Sequence, residues 1–307
     1  MNEQNKQVKF SIIDNYGEDL TSRQYIINPA IAREEEIKKM ILILLTPEKS
    51  VLLVGPAGSG KTALVEGLSY RMQKGAIPNA LSGYRVVRIN SPSLLGEVSI
   101  SGQVENKMTL LMEELKIRSK IVLFIDEVHT LIGTKNQGPM DFANMLKPGL
   151  DRGDIKVIGA TTNMEYEEYV VTDTAFLRRF ELVDVSEPTA EMTVEILDKT
   201  IPKLEVKTNI RMGLSPLMRK RTIEFIVEMT SKYKRLYSLA SNYPDISLAL
   251  LADCFSQAVY ENSPEVNLKH VFKAIKACQS IYPDILQKEV TRFREEFSKL
   301  VTPDIFE

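Results

Sequence analysis

The sequence predicts an α/β domain with a mostly parallel sheet flanked by helices, followed by a small all-helical domain. Three observations carry that prediction. Short apolar runs at 51–54, 121–125 and 155–160 have the look of strands buried on both faces, and Arg85–Asn90 supplies a further strand. Helical or loop segments separate them, giving the βαβ rhythm that right-handed crossovers turn into a parallel sheet. Beyond Glu187-Pro188 the pattern is helical, with no convincing strand.

In chain order, residues 1–25 show no long periodic pattern and read as an N-terminal extension. The large domain is expected over 26–187. A helix at 33–45 opens with Glu34, Glu35 and Glu36, whose charges suit the positive end of a helix dipole. The strand at 51–54 leads into a helix at 61–72. The helical domain is expected over 188–280. In it, 247–260 sets Leu248, Leu251, Ala252, Phe255, Ala258 and Val259 at helical spacing. Asn267 reads as the N-cap of a helix bearing Leu268, Val271, Phe272 and Ile275. A C-terminal helix within 281–307 carries Val290, Phe293, Phe297 and Leu300, a stripe that either packs internally or receives a partner.

Composition narrows the functional classes. The chain has 307 residues, 44% of them hydrophobic and 26% charged, enough for a core without covalent staples. Cys254 and Cys278 are too far apart for a CxxC site and read as small core residues. His129 and His270 lack companions at ligand spacing, so no zinc site is expected. A net charge of −2 gives no global basic field for nucleic acid. No apolar run nears the roughly 18–20 residues a membrane span needs, and no signal-like stretch opens the chain, so the expected compartment is the cytoplasm.

The chemistry is concentrated in two motifs. Gly55-Pro56-Ala57-Gly58-Ser59-Gly60-Lys61-Thr62 fits GxxxxGK[ST] and lies between a buried strand and a helix. In such a loop the backbone N–H groups curl around phosphates at a helix N-terminus. Lys61 is expected to reach the terminal phosphates, and Thr62 to hold Mg²⁺. The second motif is the apolar strand that ends in Asp126-Glu127, two adjacent acids that are costly unless they face metal or water. Asp126 fits the Mg²⁺-associated role through coordinated water, and Glu127 fits the base that activates the attacking water. A polar residue of Thr161-Thr162-Asn163, at a third strand tip, either faces this site or makes a turn. Arg178-Arg179 is either a solvated patch or, in a ring, a pair that projects into a neighbour's site.

These residues resemble the AAA+ class, and from about 28 to 197 the chain resembles the first ATPase module of Clp-family unfoldases and disaggregases. The match is carried by 31–37, by the P-loop with Ala63 and the following Leu64-Val65-Glu66-Gly67-Leu68, and by Leu123–Thr130 with its Asp-Glu pair. Asn144-Met145-Leu146-Lys147-Pro148, Gly159-Ala160-Thr161-Thr162 and Leu177-Arg178-Arg179-Phe180 complete it. The resemblance implies a homo-hexameric ring with ATP and Mg²⁺ in each subunit, and Arg178 and Arg179 as trans-acting fingers. It makes Thr162 the sensor residue and puts Ile31 and Ala32 in the adenine pocket. The family usually has Gly where Ala32 stands. The helical segment after Glu187 would be the family's lid.

The chain also departs from the family. Ile100 occupies the place of the aromatic residue that grips polypeptide in the pore, and it offers less area and no ring face. The lid motif Pro-Asp-Lys reads Pro244-Asp245-Ile246, without the cation. The family's substrate-collecting N-terminal domain and second ATPase module have no counterpart in these residues. Met212-Gly213-Leu214 reads as a turn. Asn90 either restrains the base or ends its strand. The leading expectation is an ATPase that remodels a protein or protein assembly, its substrate or adaptor unspecified. Two others stay open: a nucleic-acid-linked loader, and a nucleotide-assembled switch that does not thread.

Overall fold

The computed structural model describes residues 10–100, 103–118, 120–132, 145–146, 149, 155–236 and 242–298. The chain divides into two compact units. The first takes the chain up to Pro56 together with Lys61–Val185; the second takes Ala57–Gly60 together with the chain from Ser186.

In the first unit a helix α1 (Ile12–Tyr16) precedes strand β1 (Gly17–Asp19), helix α2 (Glu34–Leu45) and strand β2 (Ser50–Val54). Helix α3 (Lys61–Gln73), strand β3 (Arg85–Asn90) and the hairpin β4 (Glu97–Ile100) and β5 (Gln103–Asn106) follow. Helix α4 (Lys107–Ile117), strand β6 (Ile121–Asp126), strand β7 (Lys156–Thr161) and strand β8 (Phe180–Asp184) come next, with short helical turns between some of these elements. The main sheet runs β1-β3-β6-β7-β2-β8, parallel throughout except for β1.

Strict alternation along these strands makes two cores. Val51 and Leu53 point to the face covered by α2 and α3, with Val86, Val122, Phe124 and Ile158. Leu52, Val54, Val87, Leu123, Ile125 and Val157 point to the other face, where they meet Leu111, Met112 and Leu115 of α4. Every residue of β2 and of β7 is buried, which is why 51–54 and 157–160 within them read as continuous apolar runs rather than alternating ones.

Several elements were not legible in the sequence. Residues from Ile12 on do not form an extension: Ile12 and Ile13 are buried, and β1 pairs antiparallel with β3. The device that holds them is a buried acid. Glu114 on α4 accepts hydrogen bonds from Ser11 Oγ at 2.5 Å, Ile12 N at 2.7 Å and Ile13 N at 3.1 Å, capping α1 from a distance of about a hundred residues. Arg118 Nε lies 3.1 Å from the same carboxylate. A contact this distant in sequence leaves no periodic trace. The hairpin and β8 were missed as well, because their short runs mix charge with apolar residues.

In the second unit, helices α5 (Ala190–Thr208), α6 (Pro216–Met229), α7 (Asp245–Tyr260), α8 (Leu268–Ala277) and α9 (Pro283–Phe297) enclose one core. Asn267 caps α8, accepting from Lys269 N and His270 N, while Asn267 N donates to His270 Nδ1. Phe293 and Phe297 are fully buried, packed against Phe225 and Phe272, so the C-terminal stripe belongs to this core. Leu300 lies outside the described residues. The expected turn at Met212-Gly213 is instead a two-residue strand β9 (Arg211–Met212), parallel to β10 (Glu265–Val266), a pairing too short to carry a pattern. The second unit is thus helical but not all-helical.

Removing the Glu114 cap tests the anchoring of α1. Glu114→Ala leaves the buried amides of Ile12 and Ile13 without their acceptor, while Arg118 keeps Asp14, and is expected to destabilise the first unit by about 2–3 kcal/mol. Limited proteolysis is then expected to cut first near α1; an unchanged denaturation midpoint and cleavage pattern would refute the role.

Candidate active site

The site sits at the carboxyl ends of the parallel strands, where open α/β sheets bind their ligands. Register decides what meets there. Val54 pairs with Thr161, Ile125 with Gly159, and Asn90 with Asp126, so β2, β7, β6 and β3 end almost level. The loop from Gly55, the Asp126-Glu127 pair and Thr161-Thr162 follow from those ends.

Gly58 and Gly60 have φ of +74° and +97°, conformations glycine adopts at little cost and which aim successive amides into a concave nest. Lys61 Nζ donates to Gly55 O at 2.8 Å and to Pro56 O at 2.9 Å, and burial lowers its pKa despite the opposing pull of Asp126 and Glu165. At the first turn of α3, Thr62 Oγ1 donates to Asp126 Oδ2 at 3.2 Å. Ala63 is half-buried in the same turn, and Ser59 is buried while Ala57 is exposed. In the second unit Asn242 Nδ2 donates to Ala57 O at 3.2 Å.

The turn after β6 fixes Glu127. Its amide donates to Asp126 Oδ1 at 3.2 Å, and its carbonyl accepts from Thr130 N and Thr130 Oγ1. Glu127 takes a left-handed φ of +52°, a strain of about 1–2 kcal/mol for a residue with a Cβ. It keeps the side chain exposed beside the site. Observed strain of this kind gathers at functional positions.

Thr162 is drawn into a second job. Its hydroxyl caps the short helix Asn163–Glu165, and Glu165 Oε2 accepts from Thr162 N at 2.9 Å and from Thr161 Oγ1 at 3.1 Å. His129 Nδ1 lies 3.1 Å from that carboxylate, which links the turn after β6 to the tip of β7. Sequence reading passed over Glu165 and gave His129 no role beyond excluding a zinc site; the Thr-x-x-Glu spacing of a capping box was the available signal for Glu165. It also passed over Arg88, whose Nη2 lies 3.3 Å from Asp126 Oδ2.

Ile31 is buried and Ala32 follows it with a φ of +55°, the left-handed conformation that explains a preference for glycine there. That turn presses on α3: a Cβ on Gly67 would fall 2.3 Å from Ala30 Cβ. Asn90 is exposed at the end of β3, and no hydrogen bond joins it to Glu127 among the described residues. Ile100, expected at the pore, is 9% exposed and packs in the first unit's core, whereas Val104 across the hairpin is 65% exposed.

Arg178 and Arg179 are not at this site. They precede Phe180, which pairs with Ser50 at the start of β2, whereas the glycine loop follows Val54 at its end. The arginines therefore lie a whole strand, roughly 15 Å, from their own loop. Arg178 is exposed, and Lys49 Nζ and Ser50 N hold the carbonyls of Arg178 and Arg179.

No group of three or more His, Cys, Asp or Glu suited to a metal is present among the described residues. The arrangement instead fits a polyphosphate with its own divalent cation: an amide nest, a lysine, a hydroxyl and one carboxylate. No helix among the described residues is long and apolar enough to cross a membrane.

Glu165 gives the site an acid-sensitive element. Burial raises its carboxyl pKa, but the hydrogen bonds from Thr162 and Thr161 and the nearby His129 outweigh it, leaving the value below the usual one. A depressed folded-state value stabilises the protein above the ordinary carboxylate range, and that contribution is lost as pH falls through it. Glu165→Gln is expected to be less stable than the parent near pH 7, with the gap narrowing in urea melts at a pH below the ordinary carboxylate range. A gap of constant size at both pH values would rule out the charge effect.

Residues 51–183 match the AAA family, the ATPase family associated with various cellular activities. The chain is 39% identical over 232 residues to the chaperone protein ClpB of Aquifex aeolicus, covering 74% of this chain and 22% of that protein. It is 41% identical over 218 residues to ClpB of Meiothermus ruber, covering 69% and 25%. The chain thus spans about a quarter of the length of these curated relatives. Among solved structures, the S. cerevisiae Hsp104–ADP complex is similar at a TM-score of 0.70 and 29% identity, over 95% of this chain and 50% of that one. A closed-state cryo-EM reconstruction of Hsp104 with ATPγS and FITC-casein gives a TM-score of 0.72 at 28% identity, over 96% and 51%. A mostly parallel sheet ending at a glycine loop and an acidic pair, together with these likenesses, gives the chain an AAA-family region over residues 51–183 that resembles the ATPase modules of Clp-type chaperones.

Proposed function

We propose that this chain hydrolyses ATP in a homo-hexameric cytoplasmic ring and uses the turnover to remodel, unfold or disassemble a protein or protein assembly. The observation that carries the reading is the Thr62–Asp126 contact, which sets a phosphate-cradling loop within a hydrogen bond of an acidic strand tip. Bound MgATP supplies the phosphoryl group to be transferred and the metal charge that polarises it. Pro56, Ala57, Gly58, Ser59, Gly60 and Ala63 contribute the backbone of the cradle, with Ile31 and Ala32 at the base. Lys61 neutralises phosphate charge, and Thr62 and Asp126 hold the metal, Asp126 through water. Glu127 accepts the proton of the attacking water, and Thr162 orients it.

Arg178 and Arg179 complete a neighbouring subunit's site, a role supported by their distance from their own loop. The protein substrate follows from the likeness to ClpB chaperones and to an Hsp104 solved with casein. A second reading, an ATP-assembled switch that does not thread, draws support from Ile100, which is buried in the core rather than free to grip.

Glu127→Gln is expected to retain ATP binding while turnover falls by at least about a hundredfold. Normal hydrolysis by that variant would remove Glu127 from the mechanism. In the parent, a rate raised by denatured casein supports remodelling, and an indifferent rate favours the switch. Arg178→Ala is expected to bind nucleotide normally yet lose about 10²–10³-fold in turnover in assembled protein. Equal residual activity in dilute monomer and in the ring would contradict the trans assignment.

A further inference from the structure

We propose that Arg88 is a resident counter-ion of Asp126 that competes with Mg²⁺ and so sets the metal affinity of the site; the inference rests on the ATPase reading above. Arg88 stands near the end of β3, directly across from Phe124 on β6, and Asn90 stands across from Asp126. That register brings the guanidinium alongside the acidic tip. Its Nη2 lies 3.3 Å from Asp126 Oδ2, the same oxygen that accepts from Thr62 Oγ1 at 3.2 Å. The other carboxylate oxygen, Oδ1, accepts from the Glu127 amide. Both carboxylate oxygens of Asp126 therefore have partners, with a cation already on the oxygen that accepts from Thr62.

The guanidinium has an aromatic neighbour besides Asp126. It lies 5.9 Å from the centre of the Phe124 ring, and its Nε is buried without a hydrogen-bond partner. A buried donor left unsatisfied is costly, which lowers the cost of moving the guanidinium away when a metal ion arrives. The Arg88 and Asp126 side chains are about one-quarter exposed, at 29% and 25%, which keeps the pair weak enough to open. A strong buried pair would shut the metal out altogether; this one imposes a toll. Arg88 is a positioning residue in this account: it acts through Asp126, first fixing the carboxylate and then opposing the divalent ion by like charge.

The test is equilibrium binding of a fluorescent ADP as free Mg²⁺ is titrated, with excess EDTA giving the metal-free affinity. Arg88→Gln keeps most of the bulk and removes the charge; Arg88→Lys keeps the charge. The Gln variant is expected to reach half-saturation at about five- to tenfold lower free Mg²⁺, with metal-free affinity changed less than about twofold, and the Lys variant to stay near the parent. An unchanged Mg²⁺ midpoint in the Gln variant overturns the proposal. A large loss of affinity already in EDTA overturns it too, and makes Arg88 a phosphate ligand. If the parent binds no nucleotide under any condition, the ATPase reading itself fails and the inference falls with it. Should the Gln variant not fold, a Mg²⁺ midpoint in the Lys variant shifted as far as expected for charge removal would be the overturning result, and a parental midpoint the supporting one.

Discussion

Parallel strands bond to one another only when their peptide groups advance together, and in this sheet that requirement places β3, β6, β7 and β2 with their carboxyl ends nearly level. Everything chemical in the first unit hangs from that alignment. A shift of one residue between β6 and β7 would turn core side chains to the wrong face and would also pull Asp126 out of reach of Thr62. The same hydrogen bonds that exclude water from the core thus hold the reactive groups at one edge. Hydrophobic burial fixes the strands, the strands fix the tips, and short polar contacts among the tips finish the geometry.

Charge at that edge is balanced locally. Lys61 is turned onto carbonyls of its own loop, Arg88 is set against Asp126, and Glu165 is satisfied by two threonines and His129. A polyanion entering with a divalent ion would draw on the same groups, exchanging protein contacts for ligand contacts without leaving a buried charge alone. Such exchange costs less than creating new pairs from solvated ones. Glu127 stands apart, exposed on a strained turn and, among the described residues, tied through its backbone.

Much of this was legible in the residues. Strands buried on both faces announce themselves as unbroken apolar runs, and β2, β6 and β7 were read to within a residue or two for that reason. The glycine loop and the acidic pair were legible because their chemistry demands particular residue types in a fixed order. Elements held by distant partners were not. Residues 12–19 carry no periodicity because a carboxylate on α4 and a pairing with β3 do the holding. Arg88 left one clue that was passed over, a lone charge near the end of a buried parallel strand, which needs a partner somewhere. Ile100 occupies the aligned pore position in sequence, yet its side chain joins the core, a fact that alignment by spacing has no means to express.

The anchoring of α1 and β1 bears on where this protein can be cut. A shortened chain started at residue 26, where patterning first becomes regular, would strip β3 of its antiparallel neighbour and leave an open row of amides and carbonyls along a hydrophobic sheet. It would also strand Glu114 in an apolar setting with its amide donors gone. Such a fragment would trade a capped border for a sticky one, so its failure to stay dispersed would reflect the missing segment rather than any weakness of the nucleotide-binding fold.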